Sequence, residues 1–133
     1  MERTLMNIKP DAVAKNAVGE IIRRVESEGF VLKELRMMQF AKDEAEEFYG
    51  VHRDKPFFPE LITWICSGSV IPMVLEREDA VVYLRGFIGE TDSTKAATCT
   101  IRADFGANIQ SNAVHASDSP ENAAHEIGLI FGN

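Results

Sequence analysis

The rhythm of apolar and polar positions changes several times along the chain, and each rhythm predicts an element. Residues 3–8 (RTLMNI) are short, partly apolar and closed by Pro10, which predicts a strand. Within residues 16–28, Val18, Ile21, Ile22 and Val25 form the i, i+3, i+4, i+7 stripe of an amphipathic helix, and Gly29 is placed to end it. Residues 30–40 have no clean face; their position after a helix-ending glycine predicts a strand with both faces partly covered. Residues 42–52 open with acidic side chains, which favour a helix N-terminus, and residues 58–68 predict a further helix ending at glycine. The apolar run 70–76 predicts a buried strand, with Pro72 pointing to an edge position or a bulge. Ala80, Val81, Leu84, Phe87 and Ile88 return to helical spacing within residues 79–89.

Between residues 89 and 110 the rhythm is lost, and a connection of that length is usually functional or disordered. A short strand near His115 and a last helix complete the order. That helix is the best marked: Ser119 is a good N-cap, Pro120 stands at the first helical position and Glu121 follows. Ala123, Ile127, Ile130 and Phe131 make its buried stripe. Alternating strands and helices predict an α+β or α/β sandwich of one sheet with helices. The length predicts one domain over residues 1–133, large enough for a real core.

Charge and composition narrow the function. A net charge of -7 argues against non-specific nucleic-acid binding, though not against a local basic pocket. No apolar run approaches a membrane span, and the N-terminal MERTLMNIKPDAV lacks the features of a signal peptide. Two cysteines, Cys66 and Cys99, form neither a disulfide framework nor a metal motif, which leads us to expect a reducing, cytoplasmic setting. There is no GxxxxGK[ST], no GxGxxG after a strand, no zinc spacing and no GxSxG elbow.

What remains is His115, in NAVHASDS (112–119). Imidazole is a competent nucleophile and base near neutral pH, provided that one ring nitrogen is free and the other is fixed by an acceptor. Glu126 is the candidate acceptor, about 10 Å along the last helix from the Ser119 cap, and reaches His115 only if the strand runs back beside that helix. A surface or hydrogen-bonded histidine is the commoner outcome for an isolated imidazole, and spacing leaves these and the catalytic role open. Lys9, Arg85, Thr91 and Arg102 supply scattered cations and a hydroxyl suited to phosphate oxygens, and such a polyanion would bring Mg²⁺ with it. Phe57 is a stacking candidate if it is exposed, and a core residue otherwise.

NAVHASDSPENAAHEI (112–127) resembles the signature of nucleoside diphosphate kinases, N-x-x-H-[GA]-S-D-[SA] followed by a helix ending in E-I. RTLMNIKPDAV (3–13), FYGVHRDKPFF (48–58), SGSVIPMVLE (67–76) and TIRADFG (100–106) are similar to further blocks of that family, in order and over nearly the whole chain. The resemblance implies a ferredoxin-like βαββαβ fold: a four-stranded antiparallel sheet with helices on one side. It implies ping-pong transfer of a γ-phosphoryl group from a nucleoside triphosphate such as ATP to a diphosphate such as GDP, with Mg²⁺ bound mainly through the nucleotide phosphates and no metal ligands from the protein. Position by position, His115 would be phosphorylated, with Glu126 and Ser117 orienting its ring. Lys9 and Tyr49 would lie near the transferred phosphoryl and the ribose. His52, Arg85, Thr91 and Arg102 would contact the diphosphate, Asn112 the sugar, and Phe57 the base, with Leu61 among the nucleotide contacts.

The resemblance also implies a homo-oligomer, hexamer before tetramer, with no membrane or nucleic-acid partner. Three departures bear on it. Ala116 stands where glycine is commonest; a positive φ there would cost about 1 kcal/mol or more. Ser93 replaces a frequent proline, and Thr98-Cys99 a frequent Pro-Gly or Ala-Gly, in a loop that contributes to subunit contacts. The sequence also ends at Asn133, short of the tail that many members wrap around a neighbour. An alternative of another class is a nucleotide-binding or scaffolding module of the same fold with weakened catalysis. The joint presence of Lys9, Arg85, Arg102, His115 and Glu126 speaks against it.

Overall fold

The structure, a computed structural model, describes residues 1–132. Strand β1 (Glu2–Ile8) leads through helices α1 (Pro10–Ala14) and α2 (Val18–Ser27) to β2 (Val31–Leu35). Helix α3 (Lys42–Phe48), a 3₁₀ turn (Gly50–His52) and α4 (Phe58–Ile65) precede β3 (Ile71–Arg77) and α5 (Ala80–Ile88). A second 3₁₀ turn (Ser93–Lys95), α6 (Ile101–Phe105), β4 (Val114–Ala116) and α7 (Pro120–Phe131) complete the order. The sheet order is β2-β3-β1-β4 with every pair antiparallel. Taken as β1-α2-β2-β3-α5-β4, this is the expected βαββαβ ferredoxin-like α+β fold.

Helices cover both faces of the sheet, not one. Met6, Ile8, Met73 and Leu75 pack with Ala12, Ile21, Val25, Leu84, Ile88 and Ile101, from α1, α2, α5 and α6. Leu5 and Val74 point the other way and pack with Phe48, Ile62, Ile65, Ile127 and Ile130, from α3, α4 and α7. The cause lies in β1 and β3: successive side chains face opposite sides, and both faces of these strands are apolar, so each needs a cover.

The structure departs from the local expectations at several points. Strand β2 is mostly exposed rather than covered on both faces; it is an edge strand carrying Lys33 and Glu34, with a bulge between Leu32 and Glu34. Pro72 lies in β3, between β2 and β1, neither at an edge nor in a bulged segment. Its carbonyl accepts from the Arg36 N–H, so its missing N–H faces the stretch just beyond β2, where regular pairing has stopped. The helix expected over residues 42–52 ends at Phe48 and tightens into the 3₁₀ turn. Pro10 does close β1, but it also opens α1, and Thr100 caps α6 within the stretch expected to be irregular.

Ala116 needs no left-handed backbone; φ is positive instead at Cys99 (74°) and Ala113 (76°). Asn133, where the expectation of a shortened tail falls, lies outside the described residues. The last helix starts as expected, with Ser119 Oγ accepting from the Asn122 N–H at 3.1 Å and Gly132 following at φ 79°, but Phe131, expected in its buried stripe, is only partly buried.

Candidate active site

His115 is the central residue of β4 and pairs with Asn7 in β1. Its neighbours Val114 and Ala116 are buried on the α2–α5 side, so alternation turns the imidazole to the side of α7. The chain reverses after β4, and Glu126 on α7 comes to 3.1 Å from His115 Nε2 through Oε1. A carboxylate only accepts, so Nε2 is the donor, and in the neutral ring the lone pair lies on Nδ1. Ser117 Oγ donates to the same Glu126 oxygen at 2.6 Å. The rings of Phe48 and Tyr49 stand edge-on to the imidazole, with centroids at 5.3 and 5.8 Å.

As the outer strand on its side, β4 has a free edge, and the site exploits it. The carbonyls that flank His115 on that edge are taken by arginines: Arg102 Nη2 donates to Val114 O at 2.8 Å and Arg85 Nη1 to Ala116 O at 3.2 Å. Pairing the edge this way fixes two cations beside the imidazole. Arg102 is buried and also donates to Gly89 O, while its Nε has no partner among the described residues. Burial, then the Arg85 charge, push its pKa down to about 10.

Lys9 follows β1 and is buried. Its Nζ donates to Asn112 Oδ1 at 2.9 Å and sits 5.6 Å from the Trp64 ring centroid. Desolvation lowers its pKa to about 8, helped by the Arg102 charge and opposed by Asp11. Asn112 Nδ2 donates to Thr91 O at 2.9 Å and to Ile109 O at 3.1 Å, so Asn112 ties the long connection to Lys9 and keeps one lone pair for a ligand. Tyr49 is buried, and burial followed by the Glu126 charge pushes its phenol well up. His52 lies against Phe57, ring centroids 5.5 Å apart; burial and the neighbouring His115 hold its pKa down. Phe57 is 48% exposed, so it is not a core residue.

Together these groups line one cleft of about 720 Å³, which takes in Lys9, Tyr49, His52, Phe57, Leu61, Arg85, Thr91, Arg102, Asn112, His115 and Glu126. Ser117 is fully buried behind it and acts on the carboxylate alone. Phe48 and Trp64, beneath His115 and Lys9, were not anticipated; on amphipathic helices nothing separates them from ordinary core residues. Asp118 and His125 also line the cleft. Asp118 was missed although it belongs to the HASDS stretch, which could have flagged it, whereas His125 carries no pattern of its own. Among the described residues no three His, Cys, Asp or Glu side chains are grouped to hold a metal ion. No described helix is long and apolar enough to cross a membrane.

This geometry agrees with the relationships of the chain. The family model for nucleoside diphosphate kinase matches residues 2–133. The nucleoside diphosphate kinase of Wolinella succinogenes is 53% identical over 131 residues, covering 98% of this chain and 96% of the relative. That of Salinibacter ruber is 50% identical, covering 98% and 92%. Among solved structures, the Aquifex aeolicus nucleoside diphosphate kinase superposes with a TM-score of 0.96 at 51% identity, covering 98% of this chain and 94% of that one. The enzyme from Encephalitozoon cuniculi gives 0.97 at 38% identity, covering 100% and 90%. With a cleft built around a carboxylate-steered histidine and matches of this extent, the chain belongs to the nucleoside diphosphate kinase family and is a phosphotransferase of that kind.

Proposed function

We propose that this chain moves the γ-phosphoryl group of a nucleoside triphosphate to a nucleoside diphosphate in two half-reactions through His115. One observation carries the reading: Nε2 of His115 is spent on Glu126, while Nδ1 makes no hydrogen bond among the described residues and the ring shares its cleft with Arg85, Arg102 and Lys9. In the first half-reaction the Nδ1 lone pair forms a P–N bond to the γ-phosphorus. The bond from that phosphorus to the β–γ bridging oxygen breaks, and the diphosphate leaves with the electron pair. The Nε2 proton stays on the ring, and Glu126 offsets the positive charge that the ring gains. In the second half-reaction a terminal oxygen of the acceptor attacks the phosphorus and the imidazole recovers its lone pair.

Charge is spread over the transferring group in such a reaction, so the chain contributes positioning and fixed positive charge. Arg85, Arg102 and Lys9 supply the charge, with His52 and Thr91 as further phosphate contacts. Tyr49 and the free lone pair of Asn112 face the sugar, and Leu61 adds apolar contact. Phe57 offers its face to any base, since every base has a π-face to stack. The donors in the cleft suit phosphate better than a bare dication: Glu126 is already engaged, leaving carboxylates such as Asp118 near the rim. These residues would leave Mg²⁺ to be held by the nucleotide phosphates, whose charge it would screen. We place the chain in the cytoplasm as a homo-oligomer, hexamer before tetramer; the exposed Val31, Leu35 and Met37, in and beyond the edge strand β2, support self-association but not a particular size.

The test is exchange between ATP and GDP, followed as GTP formed. Exchange supports the reading; nucleotide binding without exchange favours the weakened module and overturns it. The same assay has an expected pH dependence. Lys9 must be charged to meet phosphate, and in the free protein its pKa is about 8, so kcat/KM falls as pH rises through 8. For stability the sign is opposite. The folded pKa lies below the ordinary 10.5, so a charged Lys9 costs the free protein about 3 kcal/mol, fully below pH 8 and relieved as pH rises toward 10.5. A kcat/KM profile flat from pH 7 to 10 would contradict this role.

A further inference from the structure

The backbone that carries His115 is strained just before the histidine, and one carboxylate outside the cleft holds the strain. Ala113 is fully buried and adopts φ 76°. The Val114 N–H donates to Asn112 O at 2.9 Å, across two residues, which together with that φ makes the rare γ-turn that costs a non-glycine residue energy. The turn does three things. It lets Ala113 O accept from the Lys9 N–H at 2.9 Å, it points the Asn112 side chain at Lys9 Nζ, and it launches β4. The Ala113 N–H, left without a sheet partner, donates to Asp11 Oδ2 at 3.0 Å. Asp11 Oδ1 is buried with no partner among the described residues, so the carboxylate is placed here at a cost in desolvation. Asp11 stands two residues beyond Lys9, in α1.

We propose that Asp11 is a positioning residue for phosphoryl transfer: by accepting from the Ala113 N–H it holds the left-handed turn that sets His115 against Glu126 and Asn112 against Lys9. It touches no substrate. The inference rests on the reading of His115 as the phosphorylated group.

The geometry distinguishes the hydrogen bond from the charge. An asparagine at position 11 keeps an acceptor oxygen for Ala113 and loses only the charge, whereas alanine removes both. Glycine at position 113 adopts the left-handed turn without a Cβ penalty and so needs less holding. The measurement is the rate of His115 phosphorylation on mixing with ATP in a single turnover, with the fold checked by circular dichroism and thermal melting. Asp11→Ala is expected to slow phosphorylation roughly 10- to 100-fold, the scale of a small misplacement of reacting groups. Asp11→Asn, measured near pH 6 so that Lys9 stays charged without the Asp11 carboxylate, is expected to stay within a few-fold of the parent. Adding Ala113→Gly to Asp11→Ala is expected to return most of the lost rate, an effect that general destabilisation would not give.

The proposal is overturned if folded Asp11→Ala phosphorylates at the parent rate. It is equally overturned if Asp11→Asn falls as far as Asp11→Ala and Ala113→Gly restores nothing. A parent protein that never forms phosphohistidine would instead contradict the proposed function, so the two failures are distinct.

Discussion

His115→Ala is expected to lower ATP–GDP exchange by at least about 10⁴-fold, because among the described residues no other imidazole of the cleft is hydrogen-bonded to a carboxylate that steers it. The fold is expected to survive. His115 is only partly buried, and its backbone stays paired with β1 and flanked by the carbonyls that Arg85 and Arg102 hold. The loss therefore belongs to chemistry: nucleotide affinity changes little, since the phosphate, sugar and base contacts remain. Exchange assays beside an equilibrium binding titration check this. Loss of binding in parallel with turnover would mean that the histidine is a structural strut, and turnover within tenfold of the parent would mean that phosphate moves by another route.

Arg102→Ala is expected to lower kcat/KM by roughly 10²- to 10³-fold, the usual cost of deleting one fixed donor at a developing charge. Two consequences follow from its bonds. Val114 O and Gly89 O lose a buried donor, so stability falls by about 1–3 kcal/mol in urea titration. The Arg102 charge is also one of the forces holding the Lys9 pKa down, so its removal raises that pKa and carries the alkaline fall in kcat/KM to higher pH. A variant whose rate falls while the alkaline limb stays in place would show that the two cations do not sense each other.

Much of this arrangement was legible in the chain. Ser119-Pro120-Glu121 set the start of α7 from local chemistry alone, and that start puts Glu126 on the turn of helix that meets His115. The stripe Val18, Ile21, Ile22 and Val25 gave α2, because burying one face is what a helix of that period does. Long-range relations were less legible. Strand alternation in β1 shows two apolar faces but does not say that α3, α4 and α7 supply the second cover. Pro72 reads as an edge residue until the partner strand is known to lose its pairing opposite it.

In the site, the residue types were readable from motifs, while their mutual bonds were not. That Arg85 and Arg102 cap the carbonyls on either side of His115 depends on β4 being an outer strand, which is a property of topology. Asp11 was invisible for the same reason: its importance lies in an N–H about a hundred residues away.

The most direct measurement is the intact mass of the protein after ATP alone, with no diphosphate acceptor present. The account predicts one added phosphoryl group per chain, lost in acid, stable in base, discharged on adding GDP, and absent from His115→Ala. A protein that exchanges phosphate between ATP and GDP yet never carries the adduct, or carries it equally well without His115, would contradict it.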